Sequence, residues 1–162
     1  IYDSIDDISQ TFLNGRNVEE EIRSIQVSKF VSEIAKVPQV RKKLVEYQRK
    51  MGVDKNIVMD GRDIGTFVFP NAEIKFFVTA DVLDRAKRRF LQLSINNDSV
   101  TFDEVLENIK KRDESDSTRS VNPLIRAEDA ILIDTTNISI ENQNKKIFKI
   151  INTYLANGNR NR

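Results

Sequence analysis

Three short apolar runs, each passing directly into polar residues, constrain this chain more than any other feature. They are Asn56-Ile57-Val58-Met59-Asp60, Glu73 to Thr79 (EIKFFVT) and Ala130 to Asp134 (AILID). Strands covered on both faces read as nearly continuous apolar runs. Amphipathic helices are read between the second and third runs and after the third, and strands alternating with helices predict a parallel α/β sheet. The runs end in Asp60-Gly61-Arg62-Asp63, Thr79-Ala80-Asp81 and Asp134-Thr135-Thr136. Ligands of open α/β sheets bind beyond the carboxyl ends of the strands, so a site is expected at these polar ends.

Residues 8–13 alternate as a short strand does, and Asn14-Gly15 marks a turn after it. Residues 18–36 carry a mostly helical pattern with Phe30, Val31, Ile34 and Ala35 as its apolar stripe. Pro38 suits the first turn of a helix faced by Val40, Leu44, Val45, Gln48 and Met51, and Gly52 ends it. A helix over 82–95 presents Val82, Ala86, Phe90 and Leu93. Thr101-Phe102-Asp103-Glu104 is a capping box for a helix buried through Phe102, Val105, Leu106 and Ile109. Residues 113–123 are polar and break at Asn122-Pro123. Ser139 caps a last helix faced by Ile147, Ile150, Ile151 and Tyr154, and 157–162 read as a frayed polar end.

Composition narrows the chemistry. The 162 residues contain no Cys and no His. Disulfides, thiolate zinc sites, Cys nucleophiles and His general bases are therefore excluded. Oxygen-ligated Mg²⁺ and phosphoryl transfer remain open, because the latter rests on positioning and positive charge. Lys plus Arg is 26 and Asp plus Glu is 25, so bulk electrostatic binding of nucleic acid is not expected. No apolar run is long enough to span a membrane, and the acidic start is not a signal peptide. The chain begins Ile1-Tyr2-Asp3 without Met, so a processed or partial N-terminus is expected.

Three constellations could carry chemistry. Asp60-Gly61-Arg62-Asp63-Ile64-Gly65 sets two carboxylates around an arginine at a strand end; a local ion pair in a turn is the competing reading. Arg112, Asp116 and Arg119 share one face at helical spacing, either as a site or as a solvated ion-pair network. Arg85-Ala86-Lys87-Arg88-Arg89 is a basic helix face, solvated or turned toward a phosphate or purine.

The ordered string LNGRNVEEEIRS, VPQVRKKLVEYQRKM, MDGRDIGTFVFPNAEIKFFVTA, RAKRRF, KKRDESDSTRSVNPL and AEDAILIDTT, spread between about Leu13 and Leu155, resembles the bacterial cytidylate kinases, members of the nucleoside-monophosphate kinases of the P-loop fold. The resemblance implies a parallel sheet flanked by helices, with a CMP-binding insert reaching to about residue 52, a core over 53–162 and a lid at 113–122. It implies transfer of the ATP γ-phosphoryl group to CMP or dCMP with Mg²⁺, in a cytoplasmic, monomeric full-length enzyme that binds neither nucleic acid nor membrane. Ser32, Arg41 and Asp63 match the cytosine-reading residues. Arg62 and Arg119 match the clamps on the acceptor phosphate or the transferring group. Arg112 and Asp116 match the ribose contacts. Asp60 matches a carboxylate near the phosphates that meets Mg²⁺ through water, and Arg88 matches an arginine on the ATP purine side.

One departure is large. Cytidylate kinases open with a strand and G-x-x-x-x-G-K-[ST], whose amides and Lys cradle the ATP phosphates. Glycines here stand at 15, 52, 61, 65 and 158, and none precedes Lys-Ser or Lys-Thr. The expectation is therefore the C-terminal major portion of a cytidylate kinase, inactive without its phosphate loop. The competing readings are a non-catalytic nucleotide-binding or interaction module and, less in keeping with the balanced charge, a small nucleic-acid binder built on Arg85–Arg89.

Overall fold

The computed structural model describes residues 2–5, 8–54, 56–95 and 100–158. It opens with a three-stranded antiparallel sheet of β1 (Tyr2–Ile5), β2 (Ile8–Leu13) and β3 (Arg16–Asn17). Asn14 and Gly15 link β2 to β3 at φ 51° and 82°. Both central residues of a type I′ turn need positive φ, and Asn-Gly supplies it at least cost. A short 3₁₀ turn, Glu21–Arg23, leads into α1 (Ile25–Ile34) and α2 (Pro38–Met51). Pro38 opens α2 and Gly52 closes it. A side chain at Gly52 would force its neighbours to shift, because a Cβ there would lie 2.6 Å from Phe69 Cζ.

The second half contains the parallel pair β4 (Phe76–Thr79) and β5 (Ile131–Asp134), joined through α3 (Val82–Ile95) and α4 (Phe102–Thr118). Thr79 pairs with Asp134, so both strands end level, at the edge expected to carry a site. Helices α3 and α4 lie side by side, with Ala86, Leu93 and Val105 almost wholly buried and Phe90 set edge-on to Phe102 at 6.0 Å. Both arms of the Thr101–Glu104 capping box form. Helix α5 (Ile140–Gly158) follows, with Ser139 Oγ accepting from the Asn142 amide. Residues 159–162 of the expected frayed end lie outside the described residues. No helix among the described residues is long and apolar enough to cross a membrane.

Four expectations change. Residues 56–60 form no strand, and Val58 is 102% exposed. A strand exists only through a hydrogen-bonded neighbour, and β4 and β5 pair only with each other among the described residues. The strand expected over 73–79 begins only at Phe76, although the Lys75 carbonyl already accepts from the Ile131 amide at 2.8 Å. The apolar stripe of α1 is not core: Phe30, Val31 and Ile34 are exposed. The polar stretch from 113 is helical through Thr118, with Ser117 and Thr118 hydroxyls donating to the Asp113 and Glu114 carbonyls.

Candidate functional site

Residues from three parts of the chain converge beside the start of α2. Arg41 comes from the first turns of α2. Arg62 and Asp63 come from the loop ahead of Ile64–Val68, a π-helical turn in which the Val68 and Phe69 amides donate to the Asp63 and Ile64 carbonyls. Such turns add a residue to the helical loop and recur at functional positions. Arg112 and Asp116 come from the end of α4, and Arg119 is the residue on which that helix stops.

The chain then folds back on the helix it has left. Asn122, at φ 50°, reverses it, and the Leu124 amide donates to the Asp116 carbonyl at 2.7 Å. That return covers Asp116 and Arg119, so the solvated-network reading of this charge run fails for both. The Arg119 side chain is 3% exposed and that of Asp116 6%.

The ion pairs form one connected set. Arg41 Nη2 donates to Asp63 Oδ2, with both side chains buried. Arg119 Nη2 faces Asp63 Oδ1 at 4.0 Å, and its Nη1 faces Asp116 Oδ1 at 3.6 Å. Arg62 Nε donates to Asp116 Oδ2 at 3.0 Å, and Arg112 Nε lies 3.8 Å from the same oxygen. Arg119 Nε donates to the Asn122 carbonyl at 2.6 Å.

Four guanidiniums thus surround two carboxylates. Burial, and then the charge of Arg41, pull the Arg119 pKa below its ordinary value. Burial, and then Arg62, do the same to Arg112. Arginine does not give up its proton in proteins, so these directions reflect the burial of charged guanidiniums and, after it, their crowding by other arginines. Arg41 Nε and Arg119 Nη2 are buried and have no hydrogen-bond partner among the described residues. Such orphaned donors are costly, and an anionic or acceptor-rich ligand relieves both burdens.

The remaining expected residues stand apart. Ser32 lies on α1, and its side chain is outside the described residues. Asp60 is exposed, and no hydrogen bond or ion pair joins it to the cluster among the described residues. Arg88 is engaged at the carboxyl end of β5, donating to Thr135 Oγ1 at 3.1 Å and Asp84 Oδ2 at 2.7 Å. A cleft of about 560 Å³ opens between α1 and α4, lined in part by Ser28, Asn108, Arg112 and Ser115, and the buried Ser115 hydroxyl has no partner among the described residues.

Two supports escaped the sequence reading. Arg49 Nη2 and Nε donate to the Phe67 and Val68 carbonyls at 2.8 and 3.2 Å, holding the far end of the π turn. Its spacing of eight residues from Arg41, about two helical turns, was the available signal. Arg85 pairs with Asp113 at 2.7 Å, a contact between helices that no local pattern marks.

The mixed α/β architecture, with a parallel strand pair, flanking helices and a buried arginine–aspartate cluster, is consistent with the nucleoside-monophosphate kinase-like fold. A family model described as cytidylate kinase matches residues 3–153, and this chain belongs to that family. It is 51% identical over 144 residues to a cytidylate kinase of Flavobacterium psychrophilum, an alignment covering 89% of this chain and 64% of that protein. Against a cytidylate kinase of Flavobacterium johnsoniae the identity is 50%, covering 89% and 63%. Against one of Caldicellulosiruptor bescii it is 44% over 153 residues, covering 94% and 68%. The chain therefore spans slightly less than two thirds of the length of the two Flavobacterium relatives.

Proposed function

We propose that this chain carries the CMP side of a kinase that moves the ATP γ-phosphoryl group to CMP or dCMP, giving CDP or dCDP. The observation that carries the reading is the buried cluster in which four arginines outnumber two aspartates and leave two guanidinium donors unpaired. A nucleoside monophosphate supplies what that cluster lacks: a phosphate for the surplus charge and ring acceptors for the free N–H groups.

Asp63 accepts from the exocyclic amine of cytosine, and Arg41 donates to the ring acceptors, with Ser32 as the third reader. Uracil presents a carbonyl where cytosine presents the amine, so a carboxylate at that edge disfavours it. Arg62 and Arg119 take the acceptor phosphate and then the transferring group, where charge on the equatorial oxygens is best met by fixed guanidiniums. Arg112 and Asp116 hold the ribose. Residues up to about 52 form the CMP-binding insert, 53–162 the core, and 113–122 the lid, whose first part is the end of α4.

Mg²⁺ neutralises phosphate charge in this chemistry and keeps most of its waters, so an exposed carboxylate such as Asp60, without an ion pair among the described residues, fits an outer-sphere role. Arg88, at the carboxyl end of β5, takes the purine side of ATP. The phosphate loop is not among these 162 residues, so turnover belongs to them only in company with such a loop.

The test is steady-state phosphorylation of CMP, dCMP and UMP by the complete enzyme. CMP or dCMP should be preferred to UMP by about two orders of magnitude, as for a site built to hydrogen-bond one base edge. Equal use of UMP, or no transfer to any of the three, refutes the reading. A mass-verified polypeptide of these residues alone should transfer nothing.

A further inference from the structure

From Lys110 to Thr118 helix α4 has no apolar side chain. The apolar residues that seat the helix, Phe102, Val105, Leu106 and Ile109, all precede that stretch, and Val105 is wholly buried. Hydrophobic packing therefore positions the first half of α4 and leaves the second half to polar ties. The ties through Asp116, to Arg62, Arg112 and Arg119, are made by the site's own residues and must rearrange when a nucleotide takes those guanidiniums.

Besides the Leu124 amide bonded to the Asp116 carbonyl, a side-chain tie is made by residues outside the site. Arg85 Nη1 donates to Asp113 Oδ1 at 3.0 Å, and its Nη2 lies 2.7 Å from Asp113 Oδ2. The same guanidinium donates through Nε to the Ala80 carbonyl at 3.0 Å, just past the end of β4. Two parallel N–H···O contacts fix orientation as well as distance, which a single lysine contact does not. Arg85 thus spans from the end of the parallel strand pair to the turn of α4 that bears Arg112 and Asp116.

We propose that Arg85 and Asp113 are positioning residues, a clasp that holds the site-bearing end of α4 docked before a nucleotide arrives. The inference rests on the reading of the cluster as the CMP site. Without the clasp a smaller fraction of ligand-free molecules has α4 docked, and the apparent affinity for CMP falls by that fraction. Saturating CMP restores docking through its own contacts to Arg112 and Asp116, so kcat is spared. Both partners are partly exposed, which sets the weakening of the docking equilibrium near the strong end for surface pairs, at about fivefold.

The experiment uses the complete enzyme and the variants Arg85→Ala, Asp113→Asn and the two combined. In nucleotide-free protein, amides at 110–118 should exchange faster, while those at 102–109 keep their protection. The KM for CMP should rise with kcat within twofold, the exchange and KM fold-changes multiplying to about five because one weakened docking equilibrium drives both, and the double variant should match either single one. Asp113→Asn keeps size and shape, so the measurement survives if Arg85→Ala folds poorly. Arg85→Lys, which keeps charge without the fork, should recover only part of the effect. Equal loss of protection along the whole of α4, or a fall in kcat at constant KM, overturns the clasp. Because exchange is read without nucleotide, selective loosening in a protein that ignores CMP would refute the proposed substrate and leave the clasp standing.

Discussion

Replacing Asp63 with Asn probes the cluster at its centre. The change keeps the shape and removes one charge, leaving four guanidiniums around the single carboxylate of Asp116. Asp63 is 4% exposed, contacts Arg41 and faces Arg119 at 4.0 Å. At an effective dielectric of about 20, each attraction at ~4 Å is worth about 4 kcal/mol, and several kcal/mol of carboxylate desolvation oppose the two together. Breaking a buried pair from one side typically costs about 3–5 kcal/mol, and Asn can still accept from Arg41, so a loss near 3 kcal/mol is expected. Urea unfolding of the complete enzyme should show its midpoint lowered by about 1 M or more. Inorganic phosphate should stabilise the variant more than the parent, because the unpaired positive charge has grown. In kinetics, kcat/KM for CMP should fall about 100-fold and UMP should lose less. A midpoint within about 0.3 M of the parent, with the CMP to UMP ratio unchanged, would show that Asp63 neither balances the arginines nor reads the base.

Arg119→Ala should lower kcat about 100-fold or more, while stability stays within about 1 kcal/mol because relief of burial and of repulsion from Arg41 offsets the lost pairs; near-normal kcat with a large stability loss would make Arg119 structural. Gly52→Ala should cost about 1–3 kcal/mol by urea unfolding, since the added carbon meets the Phe69 ring and Ile57; an unchanged midpoint would mean the end of α2 yields freely. Glu104 sits below its ordinary 4.5, chiefly because the Thr101 backbone amide donates to it. Its stabilising effect is complete above that ordinary value and is lost as pH falls through the lowered one, so Glu104→Gln should flatten the decline in stability between about pH 5 and 3.

Local chemistry made the helices legible. Pro38 and Gly52 bracket α2, Thr101 and Glu104 open α4, and Val82–Ile95 falls where its apolar face predicts. Strands were harder, because pairing is settled elsewhere in the chain. Ile57-Val58-Met59 has the composition of a buried strand and lies unpaired among the described residues, while β4 is shorter than its apolar run and starts only at Phe76. Within the site, spacing correctly put Arg112, Asp116 and Arg119 on one face. The burial of Asp116 and Arg119 was invisible, since it depends on Asn122 reversing the chain and on the Leu124 amide bonding back to the Asp116 carbonyl. The convergence of Arg41 with Asp63 is a tertiary fact that periodicity does not encode.

The π turn at Ile64–Val68 couples the site to the interior through chain length. Asp63 faces the arginines at one end of the turn and Val68, 2% exposed, is packed into the core at the other. The turn holds one residue more than an α-helical loop would, and each helical residue advances the chain by about 100°. Deleting any residue between them would swing either Val68 out of the interior or Asp63 away from Arg41, whatever side chains remained. Exchanges of side chain here are graded in their effect, whereas a change of length is all or nothing. Across a library of random insertions and deletions, the four positions 64–67 should stand out as a gap in the tolerated map even where point substitutions pass.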